Sequence, residues 1–67
     1  SQAVRIVGVE KNTPAYILGL QPGDIITGIN KNDSKSISDL KTLLKDEKGV
    51  FALRIMREGR HLYVMVR

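Results

Sequence analysis

His61 is the single histidine of this chain of 67 residues, cysteine is absent, and no Gly-x-Ser-x-Gly arrangement occurs. Acyl transfer by a Ser-His-Asp set needs a serine presented on a sharp turn beside a histidine that a carboxylate orients, and no such grouping can be assembled here. A catalytic or structural metal needs three or four converging ligands, whereas one imidazole and scattered carboxylates supply no such set. His61 follows Gly59-Arg60 and reads as a surface strand residue. The expectation is therefore a chain with no catalytic residues, no metal and no cofactor, whose chemistry is recognition.

Charge narrows the partner. Eleven Lys and Arg against seven Asp and Glu give a formal charge of +4, which favours anionic partners. The basic residues are spread along the chain with acids between them. The three aromatics, Tyr16, Phe51 and Tyr63, belong to no base-stacking motif, so nucleic acid is not the expected partner. No apolar run approaches the roughly 18 residues of a membrane span, and membrane insertion is not expected either. The length allows one domain with one small core, worth a net stability of about 3–5 kcal/mol. Without cysteine there is no disulfide to add to it. The chain opens at Ser1 without Met, which suggests a piece of a longer polypeptide.

These side chains must be positioned by a short series of elements. Residues 3–9 are rich in β-branched types and read as a strand, with Gly8 hinting at a bulge or close approach. Thr13 before Pro14 is an N-cap with proline at the first helical position, and Gly19 supplies the stop. Pro22-Gly23 occupies the centre of a type II turn. Residues 25–29 form a second strand, and the polar residues 30–34 a loop. Ser36 caps the longest helix, in which Ile37, Leu40, Leu43 and Leu44 share one face and Asp39 lies near the positive end. Residues 50–56 and 62–66 are two strands joined through Glu58-Gly59 in a tight hairpin. The expected core is Leu20, Ile25, Ile29, Leu40, Leu43, Leu53 and Ile55.

Specific residues carry more than this order does. Asn12-Thr13-Pro14-Ala15-x-x-x-Gly19-Leu20-x-Pro22-Gly23-Asp24-Ile25-Ile26-x-x-Ile29-Asn30 strongly resembles the small-helix, turn and strand signature of bacterial PDZ domains. Ser36-x-x-Asp39-Leu40-x-x-x-Leu44 is similar to the helix that walls their peptide groove. Ala52-Leu53-x-Ile55-x-Arg57 and Leu62-Tyr63-Val64-Met65-Val66-Arg67 look like the final hairpin of the second PDZ domain of periplasmic HtrA (Deg) serine proteases. The resemblance runs from Ala3 to Arg67. It implies an α+β fold: a small, partly open β-barrel or sandwich with two helices, of the bacterial, circularly permuted PDZ type, filling residues 1–67 as one domain.

The resemblance also implies a mechanism, in which an extended segment of a partner adds a strand beside the first strand and lies against the long helix. The groove would comprise Gln2, Ala3, Val4, Arg5 and Ile6 on the strand side, with Ile37, Lys41 and Leu44 on the helix. Ser1-Gln2-Ala3-Val4 would be the carboxylate loop, its amides a nest for a terminal carboxylate. Ala3 stands where the family has Gly, so the loop's grip is expected to be weak. Implied partners are peptides or unfolded segments, or other subunits and domains of a homo-oligomeric periplasmic serine protease whose triad lies upstream. The alternatives are an assembly domain using this groove or the outer hairpin, or a PDZ domain of another envelope protein such as a secretion-system component or an intramembrane protease.

Overall fold

The computed structural model describes residues 3–67, so Ser1 and Gln2 of the expected carboxylate loop lie outside the described residues. Five strands and two helices follow in the order β1 (Val4–Arg5), α1 (Pro14–Ile17), β2 (Ile25–Ile29), β3 (Asn32–Asp33), α2 (Ile37–Lys45), β4 (Phe51–Arg57) and β5 (Arg60–Val66). All pairings are antiparallel, and the sheet order β1-β2-β4-β5, with β3 also on β2, leaves the sheet open. This is the α+β PDZ-like architecture the sequence implied.

Local chemistry sets the element ends. Thr13 Oγ1 accepts from the Tyr16 N–H at 3.2 Å, and Pro14 opens α1. Its exit is a Schellman motif: the Leu20 N–H donates to Ala15 O (3.1 Å) and the Gly19 N–H to Tyr16 O (3.0 Å), with Gly19 at φ +85°. The next turn is type II as expected, with Gly23 at φ +95° and the Asp24 N–H donating to Gln21 O at 3.1 Å. Ser36 Oγ accepts from the Asp39 N–H (3.0 Å), and Asp39 Oδ2 accepts from the Lys35 N–H (3.0 Å), closing the entry of α2. Glu58 and Gly59, both at positive φ, make the two-residue turn between β4 and β5.

Four sequence expectations change. The regular first strand covers Val4–Arg5 and not residues 3–9, because its neighbour gives way to the turn at residue 24. Ile6 still pairs with that turn, donating to Asp24 O (2.8 Å) and accepting from the Gly23 N–H (2.7 Å). Gly8 has no close neighbour; the close approach falls at Gly28. Residues 30–34 are not simply a loop, since Asn32–Asp33 folds back on Gly28 and Ile29 as β3.

The fourth change concerns the core. Ile26, Ile29, Leu53 and Ile55 are buried, while Leu20, Leu40 and Leu43 are half-buried against them and Ile25 is not in the cluster. Strict alternation would put Ile25 and Ile29 on one face. A register shift between Ile26 and Gly28 inserts an extra residue opposite β4, so that Ile26 and Ile29 both point inward.

Gly28 is where that shift is accommodated. A Cβ there would collide with the Arg54 guanidinium and the Asn32 carbonyl. The guanidinium reaches over Gly28 to Asp33 Oδ1 at 2.7 Å, and its Nε finds no hydrogen-bond partner among the described residues. The side chain could swing aside, but the carbonyl is part of the β2–β3 ladder. Gly28→Ala is therefore expected to cost about 1–3 kcal/mol, as other overpacking substitutions do, read as a lower urea midpoint. An unchanged midpoint would show that the hairpin yields freely.

Candidate functional site

The candidate site begins at a sheet edge that is unpaired among the described residues. β2 gives one edge to β4 along its length, and β1 and β3 share the other. β1 is thus a terminal strand, and among the described residues nothing pairs with its outer edge. Val4 and Ile6 turn inward, half-buried against the core, whereas Arg5 and Val7 point outward and are exposed. Ala3, at the start of the strand, is exposed.

The edge is held from behind by a pair that sequence reasoning missed. Asp24, 1% exposed, receives Arg57 in a two-point contact: Nε donates to Oδ1 and Nη2 to Oδ2, each at 2.8 Å. Gln21 N–H donates to Oδ2 at 2.9 Å, and Arg57 Nη2 also donates to Gly19 O at 2.9 Å. One guanidinium so joins the exit of α1, the turn that pairs with Ile6, and the end of β4. The Arg57 hydrogen bonds hold the Asp24 carboxyl below its ordinary value, against the opposing pull of burial and with help from Gln21. The signal was an acid closing the Pro-Gly turn, but its partner lies 33 residues away, beyond any local spacing rule.

The helical side of the candidate site would come from α2. At about 100° per residue, Leu40 and Leu43 centre on the core, and Leu44, Ile37 and Lys41 form a stripe along one flank. Leu40 and Leu43 pack on the core cluster. Ile37 is 60% and Leu44 43% exposed, so these two are not consumed by the interior. Lys41 is exposed. At the far end of β2, Asn30 Oδ1 accepts from the Ala52 N–H (2.9 Å) and Asn30 Nδ2 donates to Glu47 just beyond α2 (3.4 Å). The second of these places the end of α2 beside the Asn30 end of β2. Because β1 is antiparallel to β2, Val4 lies nearer the Leu44 end of α2 and Ile6 farther from it.

A shallow cavity of about 330 Å³ lies away from this edge, among Pro14, Ile17, Leu18, Met65, Val66 and Arg67. An edge open along its length encloses little volume, so the cavity and the expected groove are different features. Tyr63 and Met65, on the same outward face of β5, are exposed, as is Ile17. No group of three His, Asp or Glu side chains gathers among the described residues.

The PDZ domain family model matches residues 5–57. The chain is 35% identical over 65 residues to the periplasmic serine endoprotease DegP of Escherichia coli (strain K12), which covers 97% of this chain and 14% of that protein. It is 32% identical over 66 residues to the periplasmic pH-dependent serine endoprotease DegQ of the same organism, covering 98% of this chain and 14% of DegQ. To the mitochondrial serine protease HTRA2 of Drosophila virilis it is 38% identical over 66 residues, covering 98% of this chain and 16% of the relative. The chain thus spans a small fraction of the length of the curated relatives it matches.

Proposed function

This chain belongs to the PDZ domain family, matching the PDZ regions of HtrA/Deg serine proteases, and from that premise we propose that it is the peptide-capturing module of such a protease. Residues 1–67 would be one domain of a longer, homo-oligomeric periplasmic chain whose catalytic triad lies upstream. The module would position substrates or regulate the protease without cleaving anything itself.

The observation that carries this reading is the free outer edge of β1 beside inward Val4 and Ile6, together with the exposed Ile37 and Leu44 on α2. An extended segment running antiparallel to β1 would complete the ladder with its own backbone. Its terminal side chain would enter between Val4 and Leu44, where nothing compensates a buried charge, so an apolar residue is preferred. Ala3 limits the grip on a terminal carboxylate, each lost charge-assisted bond being worth about 1.5–3 kcal/mol.

Titrating the ¹⁵N-labelled chain with peptides ending in Val, Phe or Lys, each as free acid and as amide, tests the reading. Shifts are expected at Val4, Arg5, Ile6, Ile37 and Leu44, with Val and Phe ahead of Lys and only a modest loss on amidation. Shifts confined to the outer hairpin would favour a second reading, that of an assembly domain. Exposed Ile17 and Met65 at the cavity, with exposed Tyr63 on the same face of β5 as Met65, support that reading, with another subunit or domain of the parent as partner.

A further inference from the structure

Charge on the two walls of the groove is one-sided. Arg5 and Lys41 are exposed, and among the described residues the ion pairs are Arg54–Asp33 and Arg57–Asp24, which leave both cations free. Lys45 adds a third positive charge one turn beyond Lys41. The helix acid Asp39 projects from the opposite flank of the core face, and its carboxylate is occupied by the Lys35 N–H. Asp24 and Asp33 are each neutralised by an arginine.

The strand geometry says where these cations meet a ligand. Directly opposed residues of an antiparallel pair share a face. A ligand residue opposite Val4 or Ile6 therefore faces the helix, while the one opposite Arg5 faces out beside its guanidinium. Leu44 and Lys41 are about 4.5 Å apart along the helix, and successive same-face residues of the ligand are about 6.6 Å apart. With the terminal side chain between Val4 and Leu44, the residue two before it comes level with Lys41. The intervening residue is opposite Arg5.

We propose that this groove selects extended segments with two consecutive acidic residues immediately before an apolar C-terminal residue, the first acid read by Lys41 and the second by Arg5. The proposal rests on the peptide-capture reading and assigns it a ligand class. Neither cation packs into the core, so removing either alters selection and leaves the fold intact.

The probes are the hexapeptides Ala-Ser-Ala-Glu-Glu-Val, its Gln-Gln and Lys-Lys counterparts, and the two peptides with a single Glu. They are titrated into the ¹⁵N-labelled chain and into Arg5→Gln and Lys41→Gln. Each opposite-charge contact is worth about 1.5- to 5-fold. The Glu-Glu peptide should bind tighter than Gln-Gln at low salt by the product of two such factors, and the difference should shrink near 1 M salt, where screening acts within about 3 Å. Arg5→Gln should remove the advantage of Glu at the penultimate position only, and Lys41→Gln that of the residue before it. Equal affinity of the acidic, neutral and basic peptides, with shifts still on β1 and α2, overturns the charge selection and leaves peptide capture standing. Absence of shifts on β1 and α2 with every peptide overturns both.

Discussion

Replacing Ile55 with alanine is expected to leave the chain largely unfolded at room temperature. Ile55 is fully buried, and it opposes Ile26 on one side and Leu62 on the other, at the middle of the sheet. Only four hydrophobic side chains are buried among the described residues, and of these only Ile29 and Ile55 are fully so, so neighbours have little material with which to refill the space. Truncating such an isoleucine costs about 2–5 kcal/mol, against the roughly 3–5 kcal/mol that one small core supplies. Far-ultraviolet circular dichroism with urea reads the result directly. Leu40→Ala should cost less, because Leu40 already has one side in solvent, and Ile37→Ala should stay within about 0.5 kcal/mol. An Ile55→Ala chain that melts close to the parent would mean that the stability resides elsewhere, in the half-buried ring of Val4, Leu20, Phe51 and Val64.

Elements announced by local chemistry were legible in the sequence. Thr13-Pro14, Gly19, Pro22-Gly23, Ser36 and Glu58-Gly59 each prescribe a backbone conformation that depends on nearest neighbours alone, and all stand where expected. Long-range pairing was not legible. The bulge before Gly28 is created by the contact of β2 with β4, and it moved Ile26 into the core place assigned to Ile25. β3 is two polar residues, Asn32 and Asp33, whose intrinsic preference is for turns. Their strand pairing comes from Gly28, Ile29 and the Arg54–Asp33 contact.

The candidate site divides along the same line. The alternation of Val4, Arg5 and Ile6 and the helical stripe of Ile37, Lys41 and Leu44 could be written down from periods of two and 3.6 residues. That β1 has a free edge depends on sheet order, which no local pattern encodes. The support behind Ile6 depends on Asp24 meeting Arg57 across the fold. Local rules thus name the candidate surfaces, whereas the pair behind them joins residues 33 positions apart.

Removing that support is expected to weaken stability and groove together. Asp24→Asn keeps the size of the side chain but turns an acceptor pair into an amide that can accept from Arg57 at one atom only. The charge left behind, Arg57, keeps contact with water, so the loss at neutral pH is that of hydrogen bonds to a charged group, about 1.5–3 kcal/mol. The pH dependence distinguishes this from general damage. The Asp24 carboxyl titrates below its ordinary value of 3.8 in the folded chain, chiefly through the Arg57 hydrogen bonds. Its stabilisation is therefore complete above the unfolded-state value and is lost as pH falls through the folded one. The parent should hold a constant urea midpoint from pH 8 down to about pH 5 and lose stability below about pH 4. Asp24→Asn should start lower and decline far less over that acid range. Asp33, shifted the same way by Arg54 but largely exposed, adds only a weak slope to both. In the variant, peptide-induced shifts should shrink first at Ile6, which is bonded to the released turn. A variant with the parent's midpoint at pH 7, or with an undiminished acid decline, would show that the Asp24–Arg57 pair does not fasten the strand to the sheet.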